Sequence, residues 1–594
     1  MANSILLSRS PQHKTFSATA NVYAPLNDAK TGIRVLELQP GQWHEELRGT
    51  LRIVSLKTNP LYEALSYTWG AQTQSGPREP SRGGRTLIND NLYYALRRLR
   101  WRAAVRTLWI DALCINQQND DEKGHQVAIM GKIYRLATTV FVWLGEYPNA
   151  QAKDERDTLT PHWGRFSRLN SRGKKFAELL DSTLQHAQPK WHDRAWIVQE
   201  FVLARRAIFC FGPISFPFDK LYLQDLTERL PRQMDHLLAF FYRISDMVKL
   251  EIGIRNNGVQ SIHDVVLYTS TASCKNPSDK VYSVLSLIDP KEASMMPVDY
   301  RLSPVQVFAR ATYAAIVVQR TFAILELIGF KNTSVHRQSS WTVDFTSEQD
   351  SMDGQLHIYL KQGIDWSAER YSIHQCVSLS ADARYLTVTG YTLSKIGSVL
   401  PLPNASLNAS GDTAVQFAAH LSSLLQSTFH HHYSTSAHIP DARSVLTKDN
   451  FLVGGSKTQI LTIMNAALAI WEGLTNPSSQ RTPYWQLSRN QKYAQETSAA
   501  GGEPGFVLSY AKFVSGGAMV FALSGGLIGV APATVEPGDR VVLVIGSRLP
   551  VVLRRAAGGY WVFRGFVWVH GLVGGGFMEQ IMRGRVGEER FLLC

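Results

Sequence analysis

Apolar residues in the first third of the chain gather into short runs, each closing on polar or turn-forming residues. They read Tyr62-Glu-Ala-Leu-Ser-Tyr-Thr-Trp-Gly70, Leu108-Trp-Ile-Asp-Ala-Leu-Cys-Ile-Asn-Gln117, Thr139-Val-Phe-Val-Trp-Leu-Gly145 and Arg194-Ala-Trp-Ile-Val-Gln-Glu-Phe201. Most have the pattern of strands buried on both faces of a parallel sheet. Between them the period changes. Leu92, Ala95, Leu96 and Leu99 recur at helical spacing over residues 91–102, and Val127, Met130, Ile133, Tyr134 and Ala137 do so after an Asn119-x-x-Glu122 capping signal. Strands are expected at 107–111, 139–144 and 207–211, and a helix over about 192–204. This β-α-β-α-β-α-β alternation argues for an α/β fold: a parallel sheet with flanking helices, binding ligands where the strand ends open into a crevice.

After residue 211 helical spacing prevails to about residue 323, most clearly over 237–254 and 304–319. Residues 401–411 and 477–505 are rich in Pro, Gly, Ser and Asn, as loops and boundaries are. The uncharged stretch 513–535 exceeds the ~20 residues that span a bilayer. Gly516, Gly517, Gly525, Gly526, Gly529 and Pro532 interrupt it, so buried β structure is expected and not a membrane anchor. The division is then an unstructured N-terminus (1–22), an α/β domain (23–218), a mainly helical middle (219–400), a linker-rich region (401–504) and a β-rich end (505–594).

Composition narrows the function classes. A chain of 594 residues, 44% hydrophobic and 19% charged, is an ordinary globular protein too long for one core. Its five cysteines form no CxxC pair and are odd in number, which fits a reducing compartment, with a cytoplasmic location expected. The net charge of +13 reflects many arginines between Arg78 and Arg106, split between a Gly/Pro-rich loop and a helix. No nucleic-acid-binding motif accompanies them, so a solvated basic face is expected. GxxxxGK[ST] is absent and no GxGxxG follows a strand, so no nucleotide cofactor is expected. His430-His-His432 with His438 has no further ligand at a metal-site spacing, so no metal is expected either.

In this order the four runs resemble the fungal heterokaryon incompatibility (HET) domain. The likeness extends to Tyr23-Ala-Pro-Leu with Ile33-Arg-Val-Leu-Glu-Leu, to Cys274-Lys-Asn-Pro-Ser-Asp-Lys-Val-Tyr282 before Val298-Asp-Tyr300, and to Pro537-Gly-Asp-Arg-Val541, Pro550-Val-Val-Leu-Arg554 and Trp568-Val-His-Gly571. It implies nonself recognition and regulated cell death in a fungus, with other incompatibility or signalling proteins as partners and self-association. The domain in turn resembles a Toll/interleukin-receptor (TIR) domain, because Trp196-Ile-Val-Gln-Glu200 has the Trp and Glu spacing of the helix carrying the catalytic glutamate of NAD-cleaving members. Residues 147–190 depart from that pattern as a long insertion. NAD is thereby implied as a candidate substrate; a non-catalytic assembly module is the rival implication.

Cleavage of the nicotinamide–ribose bond builds positive charge on the sugar, which a nearby carboxylate stabilises. Glu200 is the candidate catalytic residue, with Trp196 beside it; the structural alternative is a glutamate at a helix start. Asp111 is a candidate for ribose hydroxyls or for orienting Asn116, or else a cap at a strand end. Ser66, Trp69 and Gly70 close the first run. Gly70 permits close backbone approach, and Trp69 is either a stacking surface or a core residue. Cys114, flanked by Ala112, Leu113 and Ile115, reads as a buried, inert thiol.

Overall fold

The computed structural model describes residues 4–9, 23–26, 28, 30–69, 78–81, 85–146, 160–161, 178, 181, 184–185, 190–217, 235–328, 339–346, 373–401, 519–523, 528–531, 534–569 and 587–594. They belong to two compact units, Met1–Leu302 and Ser303–Cys594.

The first unit is built on a mixed sheet. Its strands are β1 (Ser4–Arg9), β2 (Gly32–Leu38), β3 (Leu47–Ser55), β4 (Glu63–Tyr67), β5 (Arg78–Ser81), β6 (Arg85–Ile88), β7 (Arg106–Trp109), β8 (Val140–Gly145), β9 (Thr160–Pro161), β10 (Ala207–Phe211) and β11 (Ile214–Pro217). The order across it is β5-β6-β1-β3-β2-β7-β4-β8-β10-β11-β9. At its centre β7, β4, β8 and β10 run parallel, as the apolar runs predict. Chain order within this core is second, first, third, fourth, so the connections reverse direction beside β4, where a doubly wound sheet opens its binding crevice.

The all-parallel expectation needs correction at the flanks. β2 joins β7 antiparallel and forms a ladder with β3, because an apolar run such as Ile33-Arg-Val-Leu-Glu-Leu38 specifies burial and not strand direction. Two further segments differ. Ser4–Arg9, expected to be unstructured, pairs with both β3 and β6. Arg78–Ser81, within the loop expected over residues 78–85, is a strand paired with Arg85–Ile88.

Two cores line the sheet. On one face Leu65, Tyr67, Leu108, Phe141 and Trp143 pack with Leu92, Ala95, Leu96 and Leu99 of α1 (Asp90–Leu99), whose first turn is capped by Asn89 accepting the amide of Leu92 at 2.8 Å. On the other, Ala64, Trp109 and Val140 pack with Met130, Ile133 and Tyr134 of α3 (Asp120–Leu136), the helix that follows the short α2 (Asp111–Cys114). Asn119 caps α3 as expected, accepting the amide of Glu122 at 3.0 Å. Gly131 in α3 is required by contact, since a Cβ there would lie 2.2 Å from the side chain of Ser286. Helices Asp235–Asn257 and Ile262–Thr269 follow the sheet.

In the second unit the helix Pro304–Gln319 precedes a largely antiparallel sheet, and Leu386–Pro401 is its longest strand. That strand pairs with Arg540–Val544 and with Glu589–Leu593, and the ladder through Val551–Arg555 and Trp561–Phe566 closes a ring of five strands. Met519–Leu523 and Ile528–Ala531, in the uncharged stretch, are strands as expected. Among the described residues no helix is long and apolar enough to cross a membrane.

Candidate functional site

Alternation along β4 turns Leu65 and Tyr67 toward α1 and Ala64 toward α3, so Ser66 faces the α3 side. That side is also covered by α4 (Ile197–Val202), whose six residues are all buried. Glu200 in α4 and Ser66 in β4 are each 1% exposed, and the Ser66 hydroxyl donates to Glu200 Oε2. The same hydroxyl accepts the indole N–H of Trp191 at 2.8 Å. One oxygen thus relays between an indole donor and a carboxyl.

The electrostatics are unbalanced. Burial pushes the Glu200 carboxyl up to about 7, against the Arg194 guanidinium and the Ser66 hydroxyl, with Asp111 adding to the upward push. Asp111 is likewise raised by burial, opposed by Arg194, the Ala112 amide and Trp69. Arg194 itself donates to the carbonyl of Tyr67. The Tyr67 hydroxyl, buried and without a hydrogen-bond partner among the described residues, lies in the field of Asp111, Arg194 and Glu200, and burial chiefly drives its proton affinity up. Two carboxyls, one guanidinium and an unpaired phenol therefore converge at the carboxyl end of β4. Near neutral pH Glu200 can hold or release a proton, as acid–base and electrostatic chemistry require.

The predicted residues fare differently. Asp111 is not a strand end: β7 stops at Trp109 and Asp111 opens α2. Its Oδ2 accepts the Trp69 indole at 3.0 Å and its Oδ1 the Ala112 amide at 2.7 Å. Trp69 is half-buried against the α1-side core, its carbonyl held by Asn89 at 2.6 Å. Asn116 is not oriented by Asp111. It turns the chain toward α3, giving its amide to Glu122 at 2.7 Å and accepting that of Gln118 at 3.1 Å. Trp196 does not face Glu200; it packs on the α3-side core and donates to Asp279 at 3.3 Å. The tryptophan that reaches the carboxyl's partner is Trp191, which sequence reasoning missed together with Arg194; both belong to Trp191-His-Asp-Arg-Ala-Trp196, whose paired tryptophans were the available signal. Gly70 lies outside the described residues, as do His430-His-His432 and Arg82.

Cys114 and the arginines between Arg78 and Arg106 stand apart from this site. Cys114 is fully buried with its thiol pushed up to about 12, and burial holds His192 neutral by lowering it to about 3, so neither suits a thiolate–imidazole pair. Among the arginines, Arg98 grips Glu146 through two bonds of 2.9 Å, Arg106 pairs with Glu63 at 2.5 Å, and Arg100 donates to the carbonyl of Glu46 at 2.9 Å. These three guanidiniums are buried and paired inside the fold, which corrects the solvated basic face expected here, because each finds a carboxylate or carbonyl within reach.

Residues 62–200, which run from the start of β4 to Glu200, match the family described as heterokaryon incompatibility protein (HET). The first unit carries a HET domain. Two curated proteins are similar to the chain: heterokaryon incompatibility protein 6, OR allele, of Neurospora crassa, 29% identical over 254 residues (35% of this chain and 37% of that protein), and vegetative incompatibility protein HET-E-1 of Podospora anserina, 23% identical over 249 residues (41% of this chain and 15% of that protein). The matched region spans well under half of either relative's length. No solved structure matches. The HET match encloses Ser66, Asp111, Trp191, Arg194 and Glu200.

Proposed function

We propose that this chain acts in fungal heterokaryon incompatibility as a nonself-recognition protein that triggers regulated cell death, and that its HET domain does so by hydrolysing NAD at Glu200. The names of both relatives support the role in incompatibility; nonself recognition and the cell-death outcome are what the resemblance to the HET domain implies. The observation that carries the second is the Glu200 carboxyl, buried at the carboxyl end of the first parallel strand and raised to about 7, where ionisation would supply a negative charge to an oxocarbenium-like ribose. The parallel core order supports the TIR-like reading of the domain. Arg194 favours the ionised carboxyl, and in this reading Asp111, which acts electrostatically on Glu200, is the group that would meet a ribose hydroxyl. No cofactor or metal enters this scheme.

A second reading is favoured by one observation, the near-complete burial of Glu200. Here Ser66, Glu200 and Trp191 hold α4 on the sheet, and the domain signals by self-association or by binding other incompatibility proteins. NAD consumption and nicotinamide release by the purified full chain, beside Glu200→Ala, decide between them. We expect turnover in the parent, rising with pH through about 7 as Glu200 ionises, and none in the variant. Equal turnover in both would remove Glu200 from the chemistry, and no turnover in either, in folded protein, would favour assembly.

A further inference from the structure

The stretch Cys274-Lys-Asn-Pro-Ser-Asp-Lys-Val-Tyr282 lies beyond the HET match, yet it and Ser273 before it hold the segment that carries Glu200 at two points. The first hold is backbone. Ser273 forms an isolated parallel bridge with Arg194: its amide donates to the carbonyl of Asp193, and its carbonyl accepts the amide of Ala195 at 2.9 Å. The second is side chain. Asp279 Oδ2 accepts the Trp196 indole at 3.3 Å, and Oδ1 accepts the Tyr300 hydroxyl at 2.9 Å. The Tyr300 ring lies under Lys123 of α3, 4.5 Å from Nζ to centroid, and the Tyr282 hydroxyl donates to the carbonyl of Asp299 at 3.0 Å. This brace therefore reaches α3 at one end and Trp196 at the other.

Trp196 immediately precedes α4, and its carbonyl accepts the Glu200 amide at 3.4 Å. Where the indole is held, the first turn of α4 is held, and with it the approach of Glu200 to Ser66. We infer that Asp279 is a positioning residue for Glu200, acting through Trp196, so that the functional site includes a segment outside the HET match. Bridge and carboxylate fix the site segment on both sides of Arg194, which keeps Trp191, Arg194 and Glu200 in register with β4. A fragment ending at β11 would retain every residue of the HET match and lose this brace.

The inference rests on Glu200 as the working carboxyl of the proposed reaction, but its test reads the state of Glu200 without NAD. In full-length protein labelled with 5-fluorotryptophan, the Trp191 resonance, assigned with Trp191→Phe, reports through Ser66 on the charge of Glu200. It should titrate near pH 7 and stop titrating in Glu200→Gln. Asp279→Ala, Trp196→Phe and the double variant should move that midpoint in one direction by the same amount, about half a pH unit or more, while Asp279→Asn, which keeps an acceptor for the indole, restores it. Should Asp279→Ala fail to fold, Tyr300→Phe removes one bond to the carboxylate and should give a smaller shift of the same sign. A parent-like midpoint in folded Asp279→Ala or, failing that, in Tyr300→Phe would overturn the inference. So would additive shifts in the double variant. A Trp191 signal that never titrates would overturn both the inference and the role of Glu200, whereas absence of NAD turnover with the shifts intact would overturn only the NAD reading.

Discussion

Glu200 in the first unit and Asp539 in the second are carboxylates buried to 1% and 4% exposure, and their surroundings are opposite. Asp539 accepts Nε and Nη2 of Arg554 at 2.8 and 2.9 Å and the amide of Glu536 at 2.8 Å, closing a turn in which Gly538 takes φ 94°. Its charge is matched by a forked guanidinium and its lone pairs are filled. Among the described residues Glu200 receives one hydroxyl; Arg194, which donates to a backbone carbonyl, offsets burial only in part, and Asp111 adds like charge. A carboxylate met on all sides acts as a rivet. One left short of positive charge is costly to keep ionised, and such groups gather where chemistry or switching uses them.

The largest effect is expected at the rivet. Asp539→Ala leaves the guanidinium of Arg554, a quarter exposed, with Glu536 and the carbonyl of Thr534 alone, and losing the bidentate bond to the buried acid costs about 3 kcal/mol. Hydrogen exchange in Arg540–Val544, which follows the turn directly, should accelerate accordingly. A cost under about 1 kcal/mol would mean that the pair does not hold the turn, and the contrast with Glu200 would fall.

The contrast is sharpened by pH. Glu200 is raised from 4.5 to about 7 in the folded protein, so the folded state binds its proton more tightly than the unfolded chain does. This contribution is fully present below about pH 4.5, where both states are protonated, and is lost as pH rises through about 7. The loss is on the order of 3 kcal/mol across that window. Glu200→Gln is isosteric and cannot ionise, so it should gain stability relative to the parent between pH 4.5 and 7, in paired denaturant titrations. A constant difference across the window would place the proton elsewhere.

Much of the fold was legible because burial on both faces leaves long apolar runs: β4, β7, β8 and β10 lie close to where the runs place them, and α1 and α3 carry their expected caps. Strand direction was not legible in β2, since its apolar pattern is the same whether it runs parallel or antiparallel to β7. Glu200 and Ser66, two of the candidates read from the sequence, lie together in the structure, but the wiring around them was not legible. Trp196 and Trp191 are both tryptophans in one short segment, yet Trp191, in the 3₁₀ turn Trp191–Asp193, donates to Ser66 while Trp196 donates to Asp279. Asp279 could not be linked to Glu200 at all, because contacts between segments so far apart in the chain leave no local periodicity.

The smallest effect is expected from the relay itself. Ser66→Ala deletes one hydroxyl and leaves the Trp191 N–H and the Glu200 carboxyl each short of a partner inside the protein, which costs about 1–2 kcal/mol. Its sign on Glu200 is the more telling quantity. A hydrogen bond donated to a carboxylate favours the ionised form, so losing it should lift Glu200 further above its ordinary range and move the stability step seen against Glu200→Gln to higher pH. A cost without that displacement would make Ser66 a packing residue, and the proton affinity of the carboxyl would then be set by burial, Arg194 and Asp111. A displacement with it would show that a single neutral donor sets the charge of Glu200, a lever that Asp539, gripped by a guanidinium, does not offer.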